Sequence, residues 1–275
     1  MEAMMTDLRF FQVDAFAERA LAGGPAAVMP LDAFLPAESM QAIAAENNVA
    51  ETAFLVAKAP GVWDLRWFTP TIEVPLCGHA TLASAHVLFA HEGYIGDEIG
   101  FDTKSGRLTV KKLSGGQLEM DFPARPPVRI DTPAGLVEAI GAGPREVWSS
   151  SFLLAVFDTP AEVRALSPDL ERVRAISAGV TGDRGNLVCA APGASEGYDV
   201  ISRFFAPGSG IPEDPATGSA HCIIAPHFSK LLGKAELRCF QAYPGRGADI
   251  TTRMEGDRVK LIGRARTVIE GVFRL

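Results

Sequence analysis

The 275 residues predict an α+β protein built from two similar lobes, and three observations carry that reading. The first is an internal repeat: RWFTPTIEVPLCGHATL at 66–82 returns as RFFAPGSGIPEDPATGS at 203–219. Aligned without gaps, Arg66 falls on Arg203, Phe68 on Phe205, Pro70 on Pro207 and Cys77 on Asp214. Each copy runs into an apolar, helix-like segment, so each lobe offers a helix N-terminus to a shared cleft. The second is a run of many short strands with few helices, which argues against a doubly wound parallel sheet. The third is the proline-rich segment 123–133, which lacks a helical period and reads as the linker between lobes 1–123 and 124–264.

In order, LRFFQVD at 8–14 reads as a strand, followed by a turn at Gly23, Gly24 and Pro25 and a strand near 26–29. Met40, Ile43 and Ala44 share a face of a helix over 36–48, with Pro36 in its first turn and Asn47–Asn48 ending it. Glu51 then stands at a helix-to-strand corner among small and apolar residues. Strand 62–68, the first repeat loop and a helix over about 80–92, closed by Gly93, come next. Strands are expected at 99–103, 106–112 and 117–122, with Ser114–Gly116 as a hairpin turn. The second half predicts a helix over 133–140, a strand over 151–157, and a helix near 162–166 or 169–173. Strands follow at 175–180, 187–190 and 199–205, then the second repeat loop and its helix. Short strands at 235–241, 248–255, 258–263 and 264–275 finish the chain, with Gly256–Asp257 as a hairpin turn.

A formal net charge of −7 and the lack of any Lys/Arg run exclude a nucleic-acid surface. No apolar run approaches a membrane span, and MEAMMTDLRFF lacks a signal-peptide pattern, so a cytoplasmic setting is expected. Cys77, Cys189, Cys222 and Cys239 lie at irregular spacings, which fits reduced thiols better than a disulfide framework.

The loop Pro207–Pro215 leads into Thr217, Gly218 and Ser219, a helix start that places Asp214 and Ser219 beside unpaired N–H donors. Such a place suits an anionic ligand, because free N–H groups and the helix dipole both favour negative charge. Asp214 and Ser219 could equally serve as plain helix caps. Cys77 precedes the other helix, where the dipole lowers a thiol pKa, although buried inert cysteine is the commoner fate. The Cys and His residues near both loops show neither a His pair at i, i+4 nor a CxxC pair, so no metal is expected. There is no G-x-S-x-G elbow, which argues against a serine hydrolase, and no GxGxxG or P-loop, so no nucleotide site is expected either.

The strings LCGHATLASA, EDPATGSAHC and NVAETAFL, with the opening FQVDAF and the closing G-R-A before the last strand, resemble the PhzF-like isomerase family of phenazine biosynthesis. The resemblance covers essentially the whole chain. It implies a diaminopimelate-epimerase-like fold: two pseudo-symmetric lobes, each an antiparallel sheet wrapped around a central helix, with 265–275 crossing back to the first lobe. It carries the family's acid/base glutamate onto Glu51, its histidine onto His79, its aspartate onto Asp214 and its serine onto Ser219. Epimerases of this fold place a cysteine in each loop, and here Asp214 stands opposite Cys77 in the gapless alignment. Two departures bear on substrate choice: Gly24 where the family has Asn, and the varied stretch between Gln241 and Arg246.

The expected activity is cofactor-independent isomerisation of a small carboxylated metabolite. Glu51, its pKa raised by apolar neighbours, moves a proton between carbons, and His79 and Asp214 hold polar substituents or share that proton. Gly78, Gly218, Ser219 and Cys77 line the substrate, with backbone N–H groups on its carboxylate. The alternatives are a racemase, epimerase or lyase with Cys77 as base, and a non-catalytic small-molecule binding protein. The expected partners are the small carboxylate and a second copy of the chain as a homodimer, with no nucleic acid and no membrane.

Overall fold

The computed structural model describes residues 7–275; the leader-sequence reading rests partly on residues 1–6, which lie outside it. The chain divides into two compact units, one running up to Asp121 and including Ile262–Leu275, the other comprising Phe122–Leu261.

Unit 1 opens with β1 (Asp7–Ala15) and β2 (Gly24–Leu31), an antiparallel pair. Their connection turns at Gly23, whose φ of +65° and 2.1 Å approach to the Ala15 carbonyl oxygen leave no room for a Cβ. Helix α1 (Ala37–Asn47) crosses to β3 (Glu51–Ala59), so β2 and β3 run parallel. Then β4 (Val62–Phe68), the two-residue β5 (Glu73–Val74) and helix α2 (Gly78–Ala90) lead to β6 (Glu98–Thr103), parallel to β4. Strands β7 (Gly106–Lys112) and β8 (Leu118–Pro123) follow as a meander. Met40, Ile43 and Ala44 of α1 pack on Met29, Leu31, Phe54 and Phe68. Helix α2 lies against β1, β2 and β3. It is apolar all round, as a helix wrapped by its sheet must be, and nine of its residues from His79 to Leu88 are buried. Its buried hydroxyls stay satisfied inside the helix, Thr81 donating to the Cys77 carbonyl at 2.6 Å and Ser84 to Ala80 at 2.8 Å.

Unit 2 repeats the plan. Strand β9 (Val128–Ile130), helix α3 (Leu136–Ile140), β10 (Glu146–Ser149) and β11 (Leu153–Val156) are followed by α4 (Pro160–Ala165) and α5 (Leu170–Thr181). These helices cross to β12 (Leu187–Pro192), parallel to β11; β13 (Val200–Phe205) crosses through α6 (Gly218–Leu232) to β14 (Glu236–Gln241), its parallel neighbour. Strands β15 (Ala248–Glu255) and β16 (Arg258–Gly263) complete the unit, and β17 (Ala265–Arg274) returns to pair antiparallel with β1 of unit 1. Alternate residues serve two cores. Leu153, Ala155, Leu187, Cys189 and Ile201 face α3, α4 and α5, while Leu154, Val156, Val188, Ala190, Val200 and Phe204 face α6. Both faces being covered, the strands read as continuous apolar runs rather than alternating ones.

Five expectations need correction. Residues 175–180 are the second half of α5, which Asp169 caps by accepting from the Arg172 N–H and Gly182 ends in the left-handed region. The apolar run there follows Val173 and Ser177 on one buried face, a helical spacing. The linker 123–133 contains β9, which pairs with β10. The sheet of each unit is mixed rather than purely antiparallel, because four of the helical crossovers join neighbouring strands that run the same way, whereas α3 joins the antiparallel β9 and β10. Pro226 does not break α6, which runs unbroken through it. The carbonyl of Cys222, deprived of its helical donor by the proline, accepts instead from the Arg125 backbone N–H at 2.9 Å. The end of α6 is also less buried than its apolar sequence predicts, with Leu231 exposed.

Candidate active site

The corner that holds Glu51 is built by α1. Asn48 takes the left-handed conformation (φ 47°) that ends the helix, and its N–H closes onto the Ala44 carbonyl. The Asn47 side chain donates to Thr52 Oγ1 at 3.1 Å and fixes the chain on the other side of the corner. Glu51 thereby becomes the first residue of β3, opposite Ala26. The second wall is the start of α2, where Cys77 is the N-cap and His79 the second helical residue.

These two walls bring three side chains together. His79 Nε2 lies 2.9 Å from Glu51 Oε2, with side-chain exposures of 4% and 17%, so the contact is nearly dry. The oxygen sits off the ring N–H axis and has no hydrogen-bond partner among the described residues, so the contact is a charge pair rather than an aligned hydrogen bond. Cys77 Sγ is 3.7 Å from His79 Nδ1 and 4.0 Å from Nε2. Being nearly equidistant from both nitrogens, the sulfur stands beside the ring and off both lone-pair axes. The ligand atoms of Glu51, Cys77 and His79 lie within 4.8 Å of one another. They do not converge on one point, and a cation held by all three would require the Cys77 side chain to turn.

The electrostatics follow from burial and the pair. Burial pushes the Glu51 carboxyl up, but the His79 charge and the contacts with His79 and Cys77 outweigh it and hold it below 4.5. This reverses the raised value expected from its apolar neighbours; the imidazolium decides the sign. Burial pulls His79 down, yet the Cys77 sulfur and the Glu51 carboxylate raise it well above 6.5. Burial and the Glu51 charge push the Cys77 thiol up to about 11, so it is protonated at neutral pH.

In unit 2 the start of α6 has its own network. Thr217 is the N-cap, and its hydroxyl donates to Asp214 Oδ2 at 2.6 Å; Asp214 Oδ1 accepts from the Ala216 N–H at 3.3 Å. The amide of Gln241 closes the loop. Its oxygen accepts from the Thr217 N–H at 2.8 Å, and its nitrogen donates to the Asp214 carbonyl at 2.5 Å and to Thr217 Oγ1 at 3.1 Å. Turning that amide over would set donor against donor at the Thr217 N–H and acceptor against acceptor at the Asp214 carbonyl. His221, fully buried, has Nδ1 2.8 Å from the Thr217 carbonyl, and burial holds its pKa down at about 4. The bonds of Gln241 to Thr217 and Asp214 were missed in the sequence, where a glutamine at a strand end carries no signal until its loop is in place.

Among the described residues, neither α2 nor α6 receives a side-chain cap, and neither has an acidic residue in its first turn. In α4 and α5, by contrast, Thr159 and Asp169 cap the helix start. The N–H groups of Gly78 and His79, and of Gly218 and Ser219, therefore remain available to an anion. Asp214 and Ser219 are not side-chain caps of α6.

The two helix starts also correct the gapless repeat. Arg66 clamps Glu73 through Nε at 2.8 Å and Nη2 at 3.0 Å, and Arg203 clamps Glu213 at 2.8 and 2.7 Å. Phe68 bridges to Glu73 and Phe205 to Glu213, and each guanidinium lies over its phenylalanine ring. The second loop is three residues longer before this glutamate, so Cys77, Gly78 and His79 correspond to Thr217, Gly218 and Ser219. Asp214 corresponds to Val74 rather than to Cys77.

Comparison with known proteins agrees with this picture. The sequence matches the family described as phenazine biosynthesis-like protein over residues 13–271. It is 43% identical over 269 residues to a Pseudomonas aeruginosa protein named an uncharacterized isomerase, covering 98% of this chain and all of that one. The structure of a PhzF-family phenazine biosynthesis protein from Enterococcus faecalis superposes with a TM-score of 0.92 at 36% identity, covering 98% of this chain and 100% of that one. A hydroxyproline epimerase from Agrobacterium vitis shares the fold, with a TM-score of 0.56 at 11% identity over 98% and 93% of the two chains. The two-unit α+β fold is thus of the epimerase-like class. The chain belongs to the PhzF-like phenazine biosynthesis family, and it is of the isomerase type.

Proposed function

We propose that this chain isomerises a small carboxylated metabolite by moving a proton between carbons, with Glu51 as the carrier. The observation that supports it most is the buried, unpartnered Glu51 Oε2 held against His79 at the start of an uncapped helix. An ionised carboxylate there has a free lone pair with which to take a proton from carbon. The nearby imidazolium stabilises negative charge that develops as the proton leaves, and it is a proton donor in its own right. Gly78 and His79 offer backbone N–H groups to the substrate carboxylate, and Cys77 lines the same place as a neutral thiol. In unit 2, Asp214, Gly218 and Ser219 at the start of α6 form a polar binding place of their own, with Asp214 held by Thr217 and Gln241. Absence of a cofactor and a cytoplasmic setting belong to the same proposal, and four buried free thiols fit a reducing compartment.

The test is solvent-deuterium incorporation into carbon over a panel of cyclic dienoic and amino acids. Glu51→Gln should slow incorporation about 10²–10⁴-fold while the fold survives. Incorporation unchanged in Glu51→Gln would remove the glutamate from the mechanism. Incorporation kept in Glu51→Gln but lost in Cys77→Ser would hand the role of base to the thiol. Binding without any exchange across the panel would favour a binding protein.

A further inference from the structure

Glu51, Cys77 and His79 supply a carboxylate oxygen, a sulfur and an imidazole nitrogen that lie within 4.8 Å of one another, and among the described residues no other three such side chains come this close. Cys77 and His79 alone carry no metal pattern in the sequence; Glu51 completes the set only when the start of β3 meets the start of α2. A thiolate, a neutral imidazole and a carboxylate are donor types that zinc takes, three from the protein with a fourth position left open. The separations fit such a shell. With usual zinc bond lengths, tetrahedral neighbours stand about 3.6 Å apart for S and N and about 3.4 Å apart for N and O. Here Nε2 of His79 is 4.0 Å from Sγ and 2.9 Å from Oε2, so each edge misses by only about half an ångström. The oxygen also lies to one side of the ring-nitrogen axis. That is wrong for a hydrogen bond and right for a second ligand, because a bound metal itself occupies the axis.

We propose that Glu51, Cys77 and His79 bind a zinc ion, with Glu51 Oε2, His79 Nε2 and Cys77 Sγ as its ligands and a water in the fourth position. Rotation about the Cα–Cβ bond brings the Cys77 sulfur in, and the protons of the thiol and the ring leave to solvent. One dication beside a thiolate and a carboxylate leaves no net charge in a place where Cys77 and His79 are only 7 and 3% exposed. Magnesium and calcium do not suit the set, because both demand a shell of oxygen ligands. The uncapped N–H groups at the start of α2 favour the thiolate form of its N-cap residue. The backbone is held in advance on both sides, by Thr81 on the Cys77 carbonyl and by Asn47 on Thr52 beside Glu51. Cys189, Cys222 and Cys239 stand in no such group among the described residues. Zinc is not a cofactor in this arrangement. It takes the Glu51 lone pair that the catalytic proposal gives to the substrate proton, and so holds the enzyme at rest. That consequence rests on the catalytic proposal, whereas binding of the ion does not.

Titration of the reduced full chain with cobalt(II), which takes zinc sites and absorbs light, tests this. The unaltered protein should gain a cobalt–thiolate charge-transfer band and intense tetrahedral visible bands, both saturating at one equivalent. Added zinc should abolish them, and magnesium should not. Cys77→Ser should remove the charge-transfer band, with Cys189, Cys222 and Cys239 still present as internal controls. Glu51→Gln and His79→Gln should each weaken binding roughly tenfold or more, since loss of even an outer partner of a ligand costs that much. Thermal unfolding without metal checks that each variant keeps its fold, and zinc should raise the midpoint of the unaltered protein but not that of Cys77→Ser. Absence of the thiolate band at high cobalt, or a band that survives in Cys77→Ser, would overturn the site. Unchanged affinity in Glu51→Gln would overturn the three-residue shell. Every readout here is metal binding, so its failure leaves the proton-transfer reading standing, and a failure of deuterium exchange leaves the zinc site standing.

Discussion

Glu51 and His79 titrate as a pair, and their shifts run in opposite directions. The lowered Glu51 carboxyl adds stability that is present above 4.5 and is lost as pH falls through its folded value. The raised His79 imidazole adds stability that is complete below 6.5 and is lost as pH rises through its folded value. The pair therefore favours the folded chain most between 4.5 and 6.5. Urea unfolding of the parent and of His79→Gln should differ most in that window, with the gap narrowing on both sides; a gap independent of pH would refute the charge pair. The thiols give a second expectation. Cys77 at about 11, Cys222 and Cys239 at about 12, and Cys189 higher still are all buried and protonated near neutrality. A small alkylating reagent should modify none of them quickly until the protein unfolds, and rapid labelling of Cys77 would contradict its burial. At this scale the sequence singled out Asp214 from its loop and helix start, but gave Glu51 and His79 their roles only through a family resemblance. Their partners were illegible because a contact such as Gln241 with Thr217 depends on where two distant segments end up.

The twin arginine–glutamate clamps show how one device behaves at two depths. Arg203 and Glu213 are exposed by only 7 and 10%, and Arg203 also donates to the Leu166 carbonyl at 2.6 Å, tying down the end of α4. Arg66 and Glu73 are exposed by 24 and 18%, and Glu73 has Lys104 as a second partner at 2.7 Å. Bonding by Arg66 and then Lys104 outweighs burial and holds Glu73 at about 2. Glu213→Gln leaves a buried guanidinium uncompensated and should cost about 3–5 kcal/mol. Glu73→Gln leaves Arg66 within reach of water and should cost about 1 kcal/mol or less. Equal losses in urea unfolding would show that depth does not decide the matter. The repeat itself was readable from Arg66/Arg203 and Phe68/Phe205, because those residues hold the same places at the ends of β4 and β13. The alignment slipped after Pro70 and Pro207, since loop length leaves no periodic trace. The helical identity of 175–180 was lost for a related reason: a short apolar run fits either period.

At the scale of the molecule, the return of β17 to β1 was expected from the resemblance, whereas composition and periodicity said nothing about it. Strand order is set by pairings between residues far apart in the chain, and no local pattern records them. That return has a consequence for the order of folding. Unit 2 is one continuous stretch, Phe122–Leu261, so every contact inside it becomes possible before β17 has been synthesised. Unit 1 must hold β1 in waiting, because Asp7 finds its opposite number only at Arg274. Closing so long a loop slows the step that depends on it, and an apolar strand left open meanwhile is prone to aggregate. Pulsed hydrogen exchange during refolding should therefore protect amides of β12 and β13 before those of β1, and the reverse order would refute the sequence of events. On the ribosome the same arrangement makes the last ten residues of β17 the latch that releases the first strand from its exposed state.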